Sequence, residues 1–271
     1  MSNLKDAYIV DAIRTPVGKF CGTMSTVRSD DMAALVIKEL VKRNDSIDPS
    51  AINDVVLGCA NQAGEDNRDV ARMALLLAGL PYTVPGETVN RLCSSGMAST
   101  INCSRAVRTG DGDLYISGGV ESMTRAPFVM AKAPSAYSRK AEVFDTSIGW
   151  RFINPKLDAE YGTDGMGRTA ENLAEKYSIS REDQDAFAAW SQQKATNAKE
   201  KGRFKNEIVS VEIPQRKKDP IIFSEDEFIR PGTTAEILSK LKPAFKKDGS
   251  VTAGNASGIN DGACAILVAS D

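Results

Sequence analysis

The sequence predicts a layered α/β fold with a long insertion, and three observations support this prediction. Apolar runs of strand length alternate with segments of helical periodicity up to about residue 120, which is typical of a sheet covered by helices. Residues 121–166 then scatter their apolar side chains among three prolines and several glycines. A compact apolar run at residues 263–269 has the character of a buried strand. Because helical crossovers connect parallel strands, mostly parallel pairing is expected.

The predicted elements follow the chain in order. The helix at residues 29–43 has Ser29 as its expected cap, two aspartates in its first turn and two basic residues in its last. A second helix at residues 68–78 is closed by Gly79. The remaining predicted strands are residues 8–10, 54–59, 88–92, 114–117, 205–213 and 263–269, and the remaining helices are residues 94–109, 169–177 and 184–200, whereas residues 219–247 are predicted to be irregular.

Composition argues against several classes of function. A net charge of −2 argues against a nucleic-acid or anionic-membrane partner, and no apolar run reaches the length that spans a bilayer. The first residues resemble neither a signal peptide nor a transit peptide, and the five cysteines form no CxxC pair. These features predict a reducing, cytoplasmic compartment. Without histidine or close cysteine pairs, no metal site is expected.

The segment NRLCSSGM at residues 90–97 sets a cysteine between a short extended run and a helix of small residues. A thiol at a helix N-terminus lies at the positive end of the macrodipole, which favours the thiolate. The free N–H groups of the first turn can stabilise an oxyanion. Cys93 is therefore the candidate nucleophile for acyl transfer. The alternative is an inert thiol, because free cysteine is among the most buried residue types.

Several segments occur in the order in which thiolases carry them, and on these segments the chain resembles that family. They are residues 7–16, 90–97, 118–123, 169–172, 183–188 and 251–262. The resemblance implies a thiolase-like layered α/β fold with a mixed sheet, made of the N-terminal half and an inserted loop domain. It implies a discontinuous core domain at residues 1–120 and 248–271. The loop domain, residues 121–247, is expected to bind coenzyme A and to make oligomer contacts.

The resemblance also implies an acyl-CoA C-acyltransferase, which cleaves a 3-oxoacyl-CoA to acetyl-CoA and a shortened acyl-CoA through an acyl group on Cys93. Coenzyme A and acyl-CoA are expected as substrates, without a permanently bound cofactor, and a homodimer or homotetramer is the expected assembly. The segments at residues 59–68 and 148–155 are most similar to 3-oxoadipyl-CoA thiolases of aromatic catabolism, which favours that substrate over acetoacetyl-CoA. The coenzyme A contacts implied by the resemblance are Leu157, Met166, Arg230, Phe245, Ala253, Ser257 and Gly258.

The chain contains no histidine, although thiolases use a histidine as the base for their nucleophilic cysteine and a second cysteine for acid–base chemistry. The Gly-His-Pro and Cys-x-Gly-Gly motifs that carry these residues are not in the sequence. We expect Asp271 to lie where the second half of a thiolase begins. Two alternatives follow: a catalytically inactive fragment for coenzyme A binding or assembly, or another condensing enzyme such as a ketoacyl synthase, which residues 255–258 fit less well.

Overall fold

The structure is a computed structural model that describes residues 4–271. It divides into two compact units. The sheet unit comprises the described residues up to Ala126 together with Asn206–Glu227 and Asn260–Asp271. The insert unit comprises Pro127–Lys205 and Phe228–Ile259.

The elements are numbered along the chain. The strands are β1 (Tyr8–Arg14), β2 (Gly18–Lys19), β3 (Asp54–Gly58), β4 (Gly86–Val89), β5 (Leu114–Ser122), β6 (Phe128–Met130), β7 (Val143–Asp145), β8 (Val211–Gln215), β9 (Lys218–Phe223) and β10 (Asn260–Ala269). The helices are α1 (Ser29–Arg43), α2 (Val70–Leu77), α3 (Ser95–Thr109), α4 (Pro155–Tyr161), α5 (Met166–Tyr177), α6 (Arg181–Glu200) and α7 (Ala235–Ser239). None of the helices within residues 4–271 combines the length and the apolar character needed to cross a bilayer.

The main sheet runs in the order β1-β10-β5-β3-β4, and β2 pairs with β10. Strand β3 is parallel to β4 and β5, whereas β10 is antiparallel to β1 and β5. The sheet is therefore mixed, as the resemblance implied. The expectation of mostly parallel pairing was wrong. It assumed that helical crossovers connect neighbouring strands, but the chain between β5 and β10 passes through the insert unit, and β10 then pairs antiparallel with both of its neighbours.

Helices cover both faces of this sheet. Side chains alternate along β3: Val55 and Leu57 pack in the larger core with α1 and α2, whereas Val56 packs in a smaller core with Cys103 and Val107 of α3. Small residues dominate the buried face of α3, which comprises Ser95, Ala98, Ser99, Cys103 and Val107. The start of α3 can therefore approach the sheet backbone closely.

Several details differ from the sequence prediction, among them the short helices α4 and α7, which were not predicted. Helix α1 has the predicted bounds, but Arg28 occupies the cap position without a side-chain cap, and Ser29 is buried in the first turn. Strand β4 ends at Val89, not at residue 92, because the chain turns there. Of the predicted strand at residues 205–213, only residues 211–213 lie in a strand, β8, and its partner β9 lies largely in the region predicted to be irregular.

The unit boundaries also differ from the expected domain limits at residues 120 and 248. Residues 206–227 lie in the sheet unit because Val211, Ile213 and Phe223 pack in its larger core. Residues 248–259 lie in the insert unit. There the buried Glu171 of α5 accepts backbone hydrogen bonds from Ser250 and Val251.

Candidate active site

Cys93 lies at a sharp turn between β4 and α3. The strand ends at Val89, Leu92 adopts a left-handed φ of 51°, and α3 begins at Ser95. The N-cap residue, Ser94, makes no side-chain capping hydrogen bond. Cys93 is exposed at this point. The thiol is thus presented beside a helix N-terminus whose first-turn N–H groups no cap side chain occupies, as the sequence predicted.

Side chains fix this turn from both ends. The N–H of Arg91 donates to Ser95 Oγ at 2.8 Å, and the same hydroxyl donates to the carbonyl of Leu92 at 2.5 Å. The N–H of Leu92 donates to Asn90 Oδ1 at 2.9 Å. A non-glycine residue in the left-handed region is held there by its surroundings. The turn is therefore a rigid support for the thiol.

Glycines in β3 and β5 allow close approach of α3 on one side and of β10 on the other. A Cβ at Gly58 of β3 would lie 2.2 Å from the backbone carbon of Ser95, so only glycine fits beneath the helix start. Gly118 of β5 has a φ of 153°, and a Cβ there would lie 2.1 Å from the carbonyl oxygen of Cys264. The buried hydroxyl of Ser99 donates to the carbonyl of Gly118 at 2.8 Å, which anchors α3 to β5.

The other four cysteines have different surroundings. Burial raises the pKa of the Cys59, Cys103 and Cys264 thiols. For Cys103 the raised pKa is about 12. These three thiols are therefore protonated near neutral pH. Cys21 is exposed, but it lies in a turn near β2 and not at a helix start. Among the five, only Cys93 combines exposure with a helix N-terminus.

The side chains of Cys59, Asp66 and Glu121 converge in the sheet unit, with one potential ligand atom of each within 4.8 Å of the others. Protein groups already engage these atoms. The thiol of Cys59 donates to Asp66 Oδ2 at 3.7 Å, Asp66 Oδ1 accepts the N–H of Gly64, and Glu121 accepts two backbone N–H groups. The cluster was not predicted, because Glu121 lies far along the chain from Cys59 and Asp66. We assign it no metal, and the expectation of no metal site stays a prediction.

All seven residues expected to contact coenzyme A lie in the insert unit, and all seven are exposed. Two local contacts connect some of them. The ring of Phe245 packs so closely on Gly167, next to Met166, that a Cβ at Gly167 would lie 2.2 Å from it. Gly258 packs in the same way on Phe228, whose ring centroid lies 5.9 Å from the guanidinium carbon of Arg230. The remaining three are Leu157 in α4 and Ala253 and Ser257 in the loop before β10.

A cleft of about 490 Å³ opens beside Arg230 in the insert unit. Its walls include Trp190, Gln193 and Thr196 of α6 and the loop residue Thr233. The hydroxyl of Thr196 is buried there, and no hydrogen-bond partner for it lies among residues 4–271. Sequence reasoning missed this cleft, because α6 contributes polar and small side chains that are also typical of an ordinary solvated helix face.

Comparison with known proteins identifies the family of this chain. Residues 7–271 match the family described as "Thiolase, N-terminal domain". The chain is 56% identical over 268 residues to the beta-ketoadipyl-CoA thiolase of Acinetobacter baylyi, covering 99% of this chain and 67% of that protein. The chain is also 56% identical, with the same coverage of both proteins, to the 3-oxoadipyl-CoA/3-oxo-5,6-dehydrosuberyl-CoA thiolase of Escherichia coli.

A solved structure shares the fold. The acetyl-CoA acetyltransferase of Bacillus anthracis superposes with a TM-score of 0.90 at 37% identity, over 100% of this chain and 67% of that one. The chain thus spans about two thirds of the length of the proteins it matches. On the family match and the identity to its relatives, the chain belongs to the thiolase family.

Proposed function

We propose that this chain supplies the nucleophile and the coenzyme A contacts of a thiolase-type acyl-CoA C-acyltransferase. The observation that carries the proposal is the exposed Cys93 at the uncapped start of α3. A thiolate is favoured at the positive end of a helix dipole, and the first-turn N–H groups can stabilise the oxyanion that forms when a thiolate attacks a carbonyl.

The proposed cleavage proceeds in two transfers. The sulfur of Cys93 bonds to the keto carbon of a 3-oxoacyl-CoA, and the carbon–carbon bond between C2 and C3 breaks. The electron pair remains on C2, which takes up a proton to give acetyl-CoA, while the shortened acyl group stays on Cys93 as a thioester. The thiol of free coenzyme A then loses its proton and takes the acyl group, which regenerates the thiolate of Cys93.

We propose that the insert unit binds coenzyme A through the seven residues that the family resemblance implies. Arg230 suits the nucleotide end, because a planar guanidinium can stack on adenine or pair with phosphate. The cleft beside Arg230, whose walls include the Trp190 side chain, offers a further surface for this end of the ligand. Leu157, Met166 and Phe245 suit the apolar parts of the pantetheine arm, and Ser257 suits its amide groups.

We favour 3-oxoadipyl-CoA as the substrate. Support comes from residues 59–68 and 148–155 and from the relatives named for beta-ketoadipyl-CoA and 3-oxoadipyl-CoA. Acetoacetyl-CoA is the second candidate, favoured by the structural likeness to an acetyl-CoA acetyltransferase. A homodimer or homotetramer and a cytoplasmic location complete the proposal.

We further infer that the 271-residue chain, assayed by itself, catalyses thiolysis slowly or not at all. The transfers need a base for the thiol and an acid for C2, and the sequence has no histidine. Losing a general base costs on the order of a hundred- to ten-thousand-fold in rate. The alternative function, an inactive coenzyme A-binding or assembly fragment, rests on the same absence.

Acyl transfer to the purified chain separates these functions. The chain is incubated with 3-oxoadipyl-CoA or acetoacetyl-CoA, and thioester formation is located by peptide mass mapping while free coenzyme A is assayed for turnover. We expect an acyl group on Cys93 with little turnover, greater occupancy from 3-oxoadipyl-CoA, and none in Cys93→Ala. An acyl group on another residue would remove Cys93 as the nucleophile. No acyl group with either substrate, while coenzyme A still binds, would favour the binding fragment.

A further inference from the structure

We propose that Asn90 and Glu121 are positioning residues for Cys93, acting through the backbone of the turn that presents the thiol. The inference rests on the proposed role of Cys93 as nucleophile. Neither side chain is placed in contact with substrate. Each acts through hydrogen bonds that end at Leu92, the residue before the cysteine.

Asn90 forms the part of this connection next to the thiol. Its Oδ1 accepts the N–H of Leu92 at 2.9 Å, and its Nδ2 donates to the carbonyl of Ala60 at 2.8 Å. The side chain therefore ties the turn before α3 to the segment that follows β3. Both halves of the amide are used, so no other natural side chain of this length reproduces the two contacts.

Glu121, at the end of β5, fixes the other side of the connection. Its carboxylate accepts the N–H of Ala60 at 2.8 Å and the N–H of Asn61 at 3.2 Å. Burial raises the pKa of this carboxyl, although the two N–H groups favour its charged form. Because Ala60 bonds to Glu121 through its N–H and to Asn90 through its carbonyl, one peptide segment joins the two side chains.

The conformation of Leu92 explains why this connection matters for the thiol. A leucine with a φ of 51° is strained, and it persists only where neighbouring contacts over-determine it. If the hydrogen bond between the Leu92 N–H and Asn90 Oδ1 is lost, the turn is free to relax, and the thiol shifts relative to the first turn of α3. Ser95 fixes the other end of the same turn, but it belongs to the helix itself and is not part of the proposal.

Alkylation kinetics of the full chain test this inference without coenzyme A. The rate constant for alkylation of each thiol by iodoacetamide is measured by peptide mapping. The pH is varied from about 6 to about 9, the range in which ordinary thiols ionise. The variants are Asn90→Ala, Asn90→Asp, Glu121→Ala and Glu121→Gln, and melting temperature is recorded for each. Asn67→Ala is the matched control, because Asn67 also donates its side-chain amide to a backbone carbonyl, that of Gly64, but has no bond to the turn. Cys21 is the internal control.

We expect Asn90→Ala and Glu121→Ala to slow alkylation of Cys93 about fivefold, the factor that corresponds to one lost hydrogen bond. Asn90→Asp keeps the acceptor for Leu92, and Glu121→Gln keeps one acceptor oxygen, so both should recover part of the rate. Cys21 and the Asn67→Ala control should react as in the unaltered chain. An unchanged Cys93 rate and pH profile in the alanine variants, or in the two conservative variants if the alanine variants do not fold, would overturn the proposal. Failure of acyl transfer with a fully reactive Cys93 would instead count against the proposed function.

Discussion

Asn255 donates a hydrogen bond of 2.9 Å from Nδ2 to Oδ1 of Asp185, and this bond fixes the small-residue loop before β10 to helix α6. Asp185 is 2% exposed, and its second oxygen accepts from Arg181 Nε at 2.7 Å. The Oδ1 atom of Asn255 accepts the N–H of Thr252 at 2.7 Å, so the same amide also shapes the loop. The backbone around Ala253 and Ser257 is therefore held by a buried carboxylate, not by loop residues alone.

Replacing this carboxylate should loosen the loop. We predict that Asp185→Ala lowers the free energy of unfolding of the insert unit by about 2–3 kcal/mol, because it removes a charge-assisted hydrogen bond and leaves Arg181 without its buried partner. Coenzyme A affinity should fall with it. Denaturant melts and calorimetry check both effects. Glu182→Ala removes an exposed carboxylate from the same helix turn and should change neither by much; equal effects of the two variants would contradict the role given to Asp185.

The five thiols should differ in reactivity. We predict that limiting iodoacetamide at neutral pH labels Cys93 first, and that Cys59 and Cys103 label only after unfolding, because burial raises their pKa values and excludes the reagent. Time-resolved peptide mapping in native buffer and in denaturant gives the order. Early labelling of Cys59, Cys103 or Cys264 in the native protein would show that these segments open more readily than the structure indicates.

Arg230 should matter for coenzyme A. We predict that Arg230→Ala weakens binding about tenfold, since pairing with phosphate or stacking on adenine is worth on the order of 1.4 kcal/mol, and that Ser257→Ala weakens it less. Titration calorimetry with coenzyme A measures both. Arg139→Ala changes charge equally at another exposed arginine of the insert unit and serves as the control. Unchanged affinity in Arg230→Ala removes this residue from the proposed site.

Acid should weaken the insert unit through Glu171. Burial by itself raises the pKa of this carboxyl, but the N–H groups of Ser250 and Val251 and the hydroxyl of Ser250 outweigh burial, so that the pKa lies below its ordinary 4.5. A carboxyl with a depressed pKa stabilises the fold above its unfolded-state pKa, and this contribution is lost as pH falls through the folded-state pKa. We predict that the melting temperature of the unaltered chain drops more steeply below about pH 4.5 than that of Glu171→Gln. Parallel acid limbs in thermal scans from neutral to acid pH would contradict this.

The sequence predicted α1, α2, α3, α5 and α6 and the position of Cys93, because these depend on local patterns, whereas the short helices α4 and α7 were not predicted. Small residues after Cys93 and the closing Gly110 indicate α3, which ends with Gly110 in the left-handed conformation. The left-handed Leu92 could not be predicted, since leucine rarely adopts positive φ and only the contacts with Asn90 and Ser95 hold it there.

Long-range contacts account for the other differences. Residues 216 and 217 form the turn between β8 and β9, whereas Lys218 belongs to β9. These two strands are set by burial of Ile213 and Phe223 in the core of the sheet unit. The roles of Glu121 and Glu171 depend on partners about 60 and 80 residues away along the chain, and no local periodicity indicates such partners. The coenzyme A contacts stay a prediction, because they were carried over from a family resemblance.

The position of β10 has a consequence for how the protein acquires its structure during synthesis. This strand lies between β1 and β5, yet it is synthesised about 140 residues after β5 ends. Until residue 269 has left the ribosome, β1 has no partner in the main sheet and β5 exposes an unpaired edge. Pairings of such large sequence separation slow folding, and open edges promote aggregation of the nascent chain. A pause in translation before residue 260 is therefore expected to prolong the exposure of these strand edges.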